Sequence, residues 1–295
     1  MATVSDWVRA SRPLVHAHIA APLLFGEAAA WAAYHTFSPR RFTYTLAWAL
    51  LAQLFVGWTN DFADHVDDTG ERSLFSGGSG VIREGRLAPR AVGSAALLAA
   101  LALGLLSFWL LRSGRPYAAP AWSTAVGLMW AYSLPPLCLS YRGGGEWVYA
   151  LGVGVGLPWL GFYVQSGVGL PPPWAVAPVF FLAFAAHVAT TLPDAAVDAA
   201  QGKRTLVVRL GARRARAVGI GTTLVALGVG SVLLPLPFGV HLAVVAIATL
   251  PLAMETVALM HWRSGDPPPC VRYVLALTAA IYVCLAGWSL GLMLR

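Results

Sequence analysis

Residues 43–68 read TYTLAWALLAQLFVGWTNDFADHVDD, an uncharged run that stops at Asn60 and gives way to Asp61, Asp64, Asp67 and Asp68. A helical apolar stretch of roughly 20 residues matches the hydrocarbon thickness of a bilayer. The acids therefore fall where such a helix would leave the membrane. The pattern recurs along the chain and predicts nine spans: Pro13–Tyr34, Thr43–Asn60, Ala91–Leu111, Tyr117–Ser133, Trp147–Ser166, Trp174–Leu192, Ala217–Leu234, Val240–His261 and Val271–Leu294. Two uncharged runs are too long for one helix. Proline lacks a backbone donor and clashes with the preceding turn, so the cuts fall at Pro171-Pro172-Pro173 and at Pro235-Leu236-Pro237-Phe238-Gly239. The expected fold is all-α and polytopic, with residues 1–295 forming a single transmembrane domain.

Composition narrows the alternatives. The chain has 295 residues, 58% hydrophobic and 11% charged, whereas soluble domains carry about 25% charged residues. It cannot coat an ordinary water-facing surface, and it is too apolar for disorder. Cys138, Cys270 and Cys284 are scattered, without the spacing of a disulfide framework or a thiolate metal site. A net charge of +7 would suggest nucleic acid in a soluble protein. Here the basic residues stand at the ends of apolar runs, as topology requires, so no nucleic-acid partner is expected. With the N-terminus inside, all of the 20 Lys and Arg except Arg40, Arg41, Arg112, Arg115 and Arg295 fall on the inner side. The orientation follows from that bias, and the long polar loops face the cytoplasm.

On a helix, Asp61, Asp64 and Asp68 lie within about 60° of arc. The sixth span ends in Pro193-Asp194-Ala195-Ala196-Val197-Asp198, a second acidic pair at i, i+4. Both spans run in the same direction, so both clusters emerge inside. Like charges at this spacing repel. Two of them 4 Å apart cost about 4 kcal/mol at an effective dielectric near 20. Such clusters call for cations, and hard oxygen ligands select Mg²⁺, which shares its coordination sphere with substrate phosphates. The flanking loops are basic and glycine-rich: residues 72–86 (RSLFSGGSGVIREGR), Gly202-Lys203-Arg204-Thr205, and Tyr141-Arg142-Gly143-Gly144-Gly145-Glu146. Exposed loop amides and cations suit anionic oxygens. The two clusters and their basic rim read as a metal-bridged diphosphate site.

Asn60-Asp61-x-x-Asp64-x-x-x-Asp68 and Asp194-x-x-x-Asp198 resemble the two aspartate-rich motifs of the UbiA superfamily of intramembrane prenyltransferases. Arg12-Pro13, the Tyr132-Ser133-Leu134-Pro135-Pro136 loop and Gly202-Lys203-Arg204-Thr205-Leu206 add to the likeness, which covers essentially the whole chain. Ser76–Ile82, Glu84–Leu87 and Tyr141–Glu146 are most similar to the 1,4-dihydroxy-2-naphthoate prenyltransferases of menaquinone synthesis and their unassigned relatives. The stretch Leu137-Cys138-Leu139-Ser140 lacks a lysine that relatives often carry there.

The resemblance implies helices around a central cavity, in a bacterial cytoplasmic membrane, with the site facing the cytoplasm. It implies Mg²⁺ on Asp61, Asp64 and Asp68 and again on Asp194 and Asp198, bridging the diphosphate of a polyprenyl donor. Arg72, Arg142, Lys203 and Arg204 would assist, Asn60 would orient a metal ligand or the acceptor, and Tyr132 and Tyr141 would bind substrate. The donor's carbocation would alkylate an aromatic acceptor. A membrane terpene cyclase would use the same metal site without an acceptor. A cation-coupled transporter would instead place its acids near the bilayer midplane. Glu27, Glu255 and His187, inside apolar spans, are expected as buried, hydrogen-bonded structural groups.

Overall fold

A computed structural model describes residues 2–65, 78–262 and 270–295. Prolines and glycines set where its helices begin and end. Helix α1 (Val4–Ala10) opens with a capping box in which Thr3 and Asp6 satisfy each other's backbone amides, and α2 spans His16–Tyr34. Helix α3 (Pro39–Asp64) starts on Pro39 after the Ser38 N-cap, where proline's missing donor costs nothing. The same device starts α4 (Pro89–Arg112), and α5 covers Ala118–Ser133. After the short α6 (Leu139–Arg142), α7 (Gly145–Leu151) passes through a π-helical turn, Gly152–Gly156, into α8 (Leu157–Ser166). Helix α9 (Ala177–Thr191) stops at Leu192-Pro193 and is followed by the short helices α10 (Ala195–Ala200) and α11 (Leu206–Leu210). Three long helices close the chain: α12 (Ala212–Leu233), α13 (Phe238–His261) and α14 (Cys270–Met293). Among the described residues there are no strands.

Helices stand over every predicted span, but among the described residues six segments, rather than the nine expected, are long and apolar enough to cross a membrane. These are Pro89–Arg112, Gly145–Ser166, Pro173–Thr191, Ala212–Leu233, Phe238–His261 and Cys270–Met293. Helix α5 has only 16 residues. Helices α2 and α3 are long enough but carry His16, His18, Glu27, Gln53, Asn60, Asp61 and Asp64. The structure turns several of these inward, and Glu27, Gln53 and Asp61 are buried. A second departure concerns Asp194 and Asp198. They do not end the sixth span; Pro193 breaks it, and Asp194 stands at the N-cap position of α10 with Asp198 in its first turn.

Two apolar cores flank the middle of the molecule. One gathers residues of α9, α12, α13 and α14, the other those of α3, α4 and α5, and α2 and α8 contribute to both. Buried Glu255 on α13 accepts from Arg216 of α12 and Arg272 of α14, each at 2.8 Å, so it holds the structural role expected of it. At two glycines, helices α2 and α8 approach backbone to backbone. A Cβ on Gly26 would lie 2.0 Å from the Pro158 carbonyl oxygen, and one on Gly161 would lie 2.0 Å from that of Leu23. Small residues let membrane helices approach this closely. Gly161→Val should therefore lower the thermal unfolding temperature in detergent by about 5 °C or more. Gly221→Ala, which meets nothing within 4 Å, should leave it unchanged or slightly raised.

Candidate active site

Between the two cores lies a cavity of about 1250 Å³. One end is polar, walled by Arg9, Arg12, Asn60, Asp61, Asp64, Asp194, Asp198 and Lys203. Its wall then becomes largely apolar along α3, α5 and the π-helical turn, and ends at Tyr117, Trp159 and Leu170. From Asp61 to Trp48 along α3 the helical rise is about 20 Å. Gly154 explains the π turn: its Cβ would stand 2.6 Å from the Phe180 Cα of α9. The turn thus presses one side against α9, while Gly152, Val153, Val155 and Gly156 line the cavity.

Asp61 sits in the last turn of α3, buried, where Arg12 and the Ser79 hydroxyl both donate to it. The Ser79 backbone amide adds a third bond at 3.1 Å. Arg12 reaches Asp61 from a left-handed backbone position, φ 47°, at the corner between α1 and α2. Arg9 braces the same loop, donating to the Ser79 carbonyl at 3.2 Å and to both oxygens of Glu84. Asn60 accepts from the Ser133 hydroxyl at 2.6 Å, which joins α3 to α5.

A polar chain links this cluster to the other. The Tyr141 hydroxyl donates to Asp64 at 3.1 Å, the Lys203 ammonium stands 4.7 Å from the centre of the Tyr141 ring, and Lys203 pairs with Asp198 at 3.2 Å. Burial pushes the Asp198 carboxyl above the usual carboxylate range, Lys203 pulls it back, and the nearby Asp64 charge adds to the rise. The two acidic clusters therefore feel each other's field, and Tyr141 and Lys203 hold them together.

The UbiA prenyltransferase family profile matches residues 19–278. The chain belongs to the UbiA prenyltransferase family. It is accordingly an enzyme of the prenyl-transferring class. The fold agrees with solved structures. A digeranylgeranylglyceryl phosphate synthase superposes with a TM-score of 0.70 at 11% identity over 99% of both chains. A UbiA homolog from Archaeoglobus fulgidus, bound to GPP and Mg²⁺, gives 0.67 at 15% identity over 98% of this chain and 100% of that one. The apo form of a UbiA homolog from Aeropyrum pernix K1 gives 0.65 at 15% over 92% and 96%. At these identities the likeness establishes the fold. No curated protein sequence matches the chain significantly.

Within this UbiA fold the expected site residues divide into three groups. Asn60, Asp61, Asp64, Tyr132, Asp194, Asp198 and Lys203 line one cavity. Asp68 and Arg72 lie outside the described residues. Tyr141, Arg142 and Arg204 stand outside the cavity wall, the two arginines exposed and Tyr141 half-buried with its hydroxyl on Asp64. Their loops are joined by two backbone amides: that of Arg204 donates to the Tyr141 carbonyl at 2.8 Å, and that of Leu206 to the buried Glu146 carboxylate at 2.6 Å. Gly143, at φ 89°, lets the Arg204 carbonyl approach where a Cβ would stand 2.6 Å from it. Much of the Tyr-Arg-Gly-Gly-Gly-Glu motif is thus spent on docking two loops. The aspartate spacing does not point to Arg9, Arg12 or Ser79, which the fold brings to the first cluster. A serine inside a glycine-rich loop and an arginine beside a proline were the available signals, and only tertiary contact gives them a target.

The donor set fits Mg²⁺ in kind. Among the described residues no three acidic, His or Cys side chains form a ready metal cage. Two pairs of hard carboxylates suit an ion usually held by one or two carboxylates together with substrate phosphates. A carboxylic acid whose folded pKa is raised weakens the fold as pH climbs from its unfolded value through the folded one. With chelator present at pH 7, Asp198→Asn should therefore unfold at a higher temperature than the parent chain, and the gap should close towards pH 4. A lower temperature at pH 7 would mean that the Lys203 ion pair outweighs the burial cost.

Proposed function

We propose that the chain transfers an isoprenoid group from a polyprenyl diphosphate to an aromatic acceptor in a Mg²⁺-dependent reaction that releases pyrophosphate. The observation that carries this reading is the polarity of the cavity: paired carboxylates and cations at one end, and a largely apolar wall for about 20 Å beyond. A polyprenyl diphosphate has the same polarity, an anionic head on an apolar tail. The homolog from Archaeoglobus fulgidus bound to GPP or DMAPP with Mg²⁺ supports it.

Asp61, Asp64, Asp194 and Asp198 would hold the metal, with Asp68 continuing the first motif, and Mg²⁺ would neutralise charge on the departing diphosphate. Lys203, Arg12 and Arg9 add positive charge at the same end. The allylic C–O bond breaks with its electron pair leaving on the diphosphate, an aromatic carbon of the acceptor forms the new C–C bond, and that carbon sheds its proton, or its carboxyl group as CO2 in a dihydroxynaphthoate, to restore the aromatic ring. The apolar wall keeps water from the allylic carbon, which favours the acceptor as its partner.

We assign the acceptor to the class of 1,4-dihydroxy-2-naphthoate, on the likeness of Ser76–Ile82 and Tyr141–Glu146 to the enzymes of menaquinone synthesis. We also assign nine spans in a bacterial cytoplasmic membrane with the acids inside. The three helices that fall short in length or hydropathy each wall the cavity, which accounts for their polarity. Under this topology, Arg112→Cys should react with an impermeant thiol reagent from outside intact cells and a cysteine at Gly202 should not.

Asp61→Ala and Asp194→Ala should each cut turnover about a thousandfold while the protein still folds, and chelator should do the same to the parent chain. Mass spectrometry of the product from geranyl diphosphate and the naphthoate should show the prenylated adduct. A cyclic hydrocarbon or alcohol formed without acceptor would overturn the transferase reading.

A further inference from the structure

Tyr132 and His187 form a bonded pair on the cavity wall that the diphosphate end does not use. The Tyr132 oxygen and His187 Nε2 are 3.0 Å apart, and both residues line the cavity. Tyr132 neighbours Ser133, whose hydroxyl holds Asn60 next to Asp61. His187 precedes Asp194 by seven residues. The pair therefore sits just inside the acidic end.

A neutral histidine has one N–H and one lone pair. His187 is 4% exposed, and its Nδ1 is buried without a hydrogen-bond partner. Orphaned buried N–H groups are the rarer defect in folded proteins, which places the proton on Nε2, donated to the Tyr132 oxygen. The Tyr132 hydroxyl hydrogen then has no partner among the described residues. A hydroxyl that already accepts a hydrogen bond donates a stronger one. The pair is also held from both sides. The Ser140 hydroxyl donates to the Tyr132 carbonyl at 2.8 Å, Gly145 packs under the Tyr132 ring, and the Tyr149 ring lies 5.0 Å from that of His187. Tyr149 lines the cavity too, so an oriented O–H donor stands beside aromatic faces.

We propose that Tyr132 donates to an oxygen of the aromatic acceptor and that His187 is the positioning residue which orients and polarises that hydroxyl. The ligand class is a planar ring bearing hydroxyl, phenolate or carboxylate oxygen. This assignment rests on the transferase reading above and names its acceptor subsite.

The test uses the full-length protein in detergent, with 1,4-dihydroxy-2-naphthoate and geranyl diphosphate plus Mg²⁺ as separate probes of thermal stabilisation, alongside steady-state kinetics. Tyr132→Phe and His187→Leu should each need about tenfold more naphthoate, with acceptor KM raised alike and kcat largely kept. His187→Gln, whose amide N–H replaces the donor, should restore affinity to within about twofold. The diphosphate response should be the same in all four proteins. An unchanged naphthoate response in Tyr132→Phe, a shift in the diphosphate response instead, or no naphthoate stabilisation of the parent chain would overturn the subsite. Tyr132-dependent naphthoate binding without prenyl transfer would uphold the subsite and sink the transferase reading. Transfer with naphthoate binding indifferent to Tyr132 would do the reverse.

Discussion

Four carboxylates gathered at one end of an apolar cavity repel one another, and the surrounding structure is organised around holding them there. Asp61 is neutralised by Arg12 and tied by Ser79. Asp64 and Asp198 are joined through Tyr141 and Lys203. Without those partners the charges would spread apart or protonate, since a buried unpaired charge is costly. The same unfavourable field makes the site a receptor for divalent cations and, through them, for an anionic substrate head. The stress that the fold tolerates is the source of its binding chemistry.

The membrane adds a second constraint that sorts the helices. Those on the periphery expose hydrocarbon; Leu97, Leu98, Leu101 and Leu105 of α4 and Leu250, Met254 and Val257 of α13 all face outward. Helices α2, α3 and α5 carry polar groups instead and spend them inside, where backbone and side chains must satisfy one another. Glycine serves close approach on both sides of the cavity: Gly26 and Gly161 let α2 and α8 touch, and Gly154 lets the π turn press on α9. A cavity of this size persists because its walls are clamped around it.

The loop from Tyr141 to Glu146 shows how a motif divides its labour. Tyr141 reaches Asp64, and Gly143 and Glu146 receive the loop that carries Lys203. Arg142, the residue whose charge draws attention in the sequence, is exposed and does not line the cavity. Charge and glycine content marked the right segment, while the working contacts came from an aromatic hydroxyl and a buried carboxylate. A similar reassignment applies at the sixth span, where Pro193 moves Asp194 and Asp198 onto a helix of their own.

The chain's apolar periodicity, its scarcity of charge and the spacing of its aspartates were enough, by themselves, to determine an all-helical membrane protein with two acidic clusters on one side. These are local properties: a helix converts i, i+3 and i+4 spacing into a shared face, and a bilayer admits few alternatives. What only the tertiary structure decided is which residues from distant segments meet. Arg12 on Asp61 closes 49 residues of sequence, Tyr141 on Asp64 closes 77, and Tyr132 on His187 closes 55. Such contacts depend on how helices cross and where loops dock, and packing fixes those through many small contacts that leave no periodic trace in the sequence.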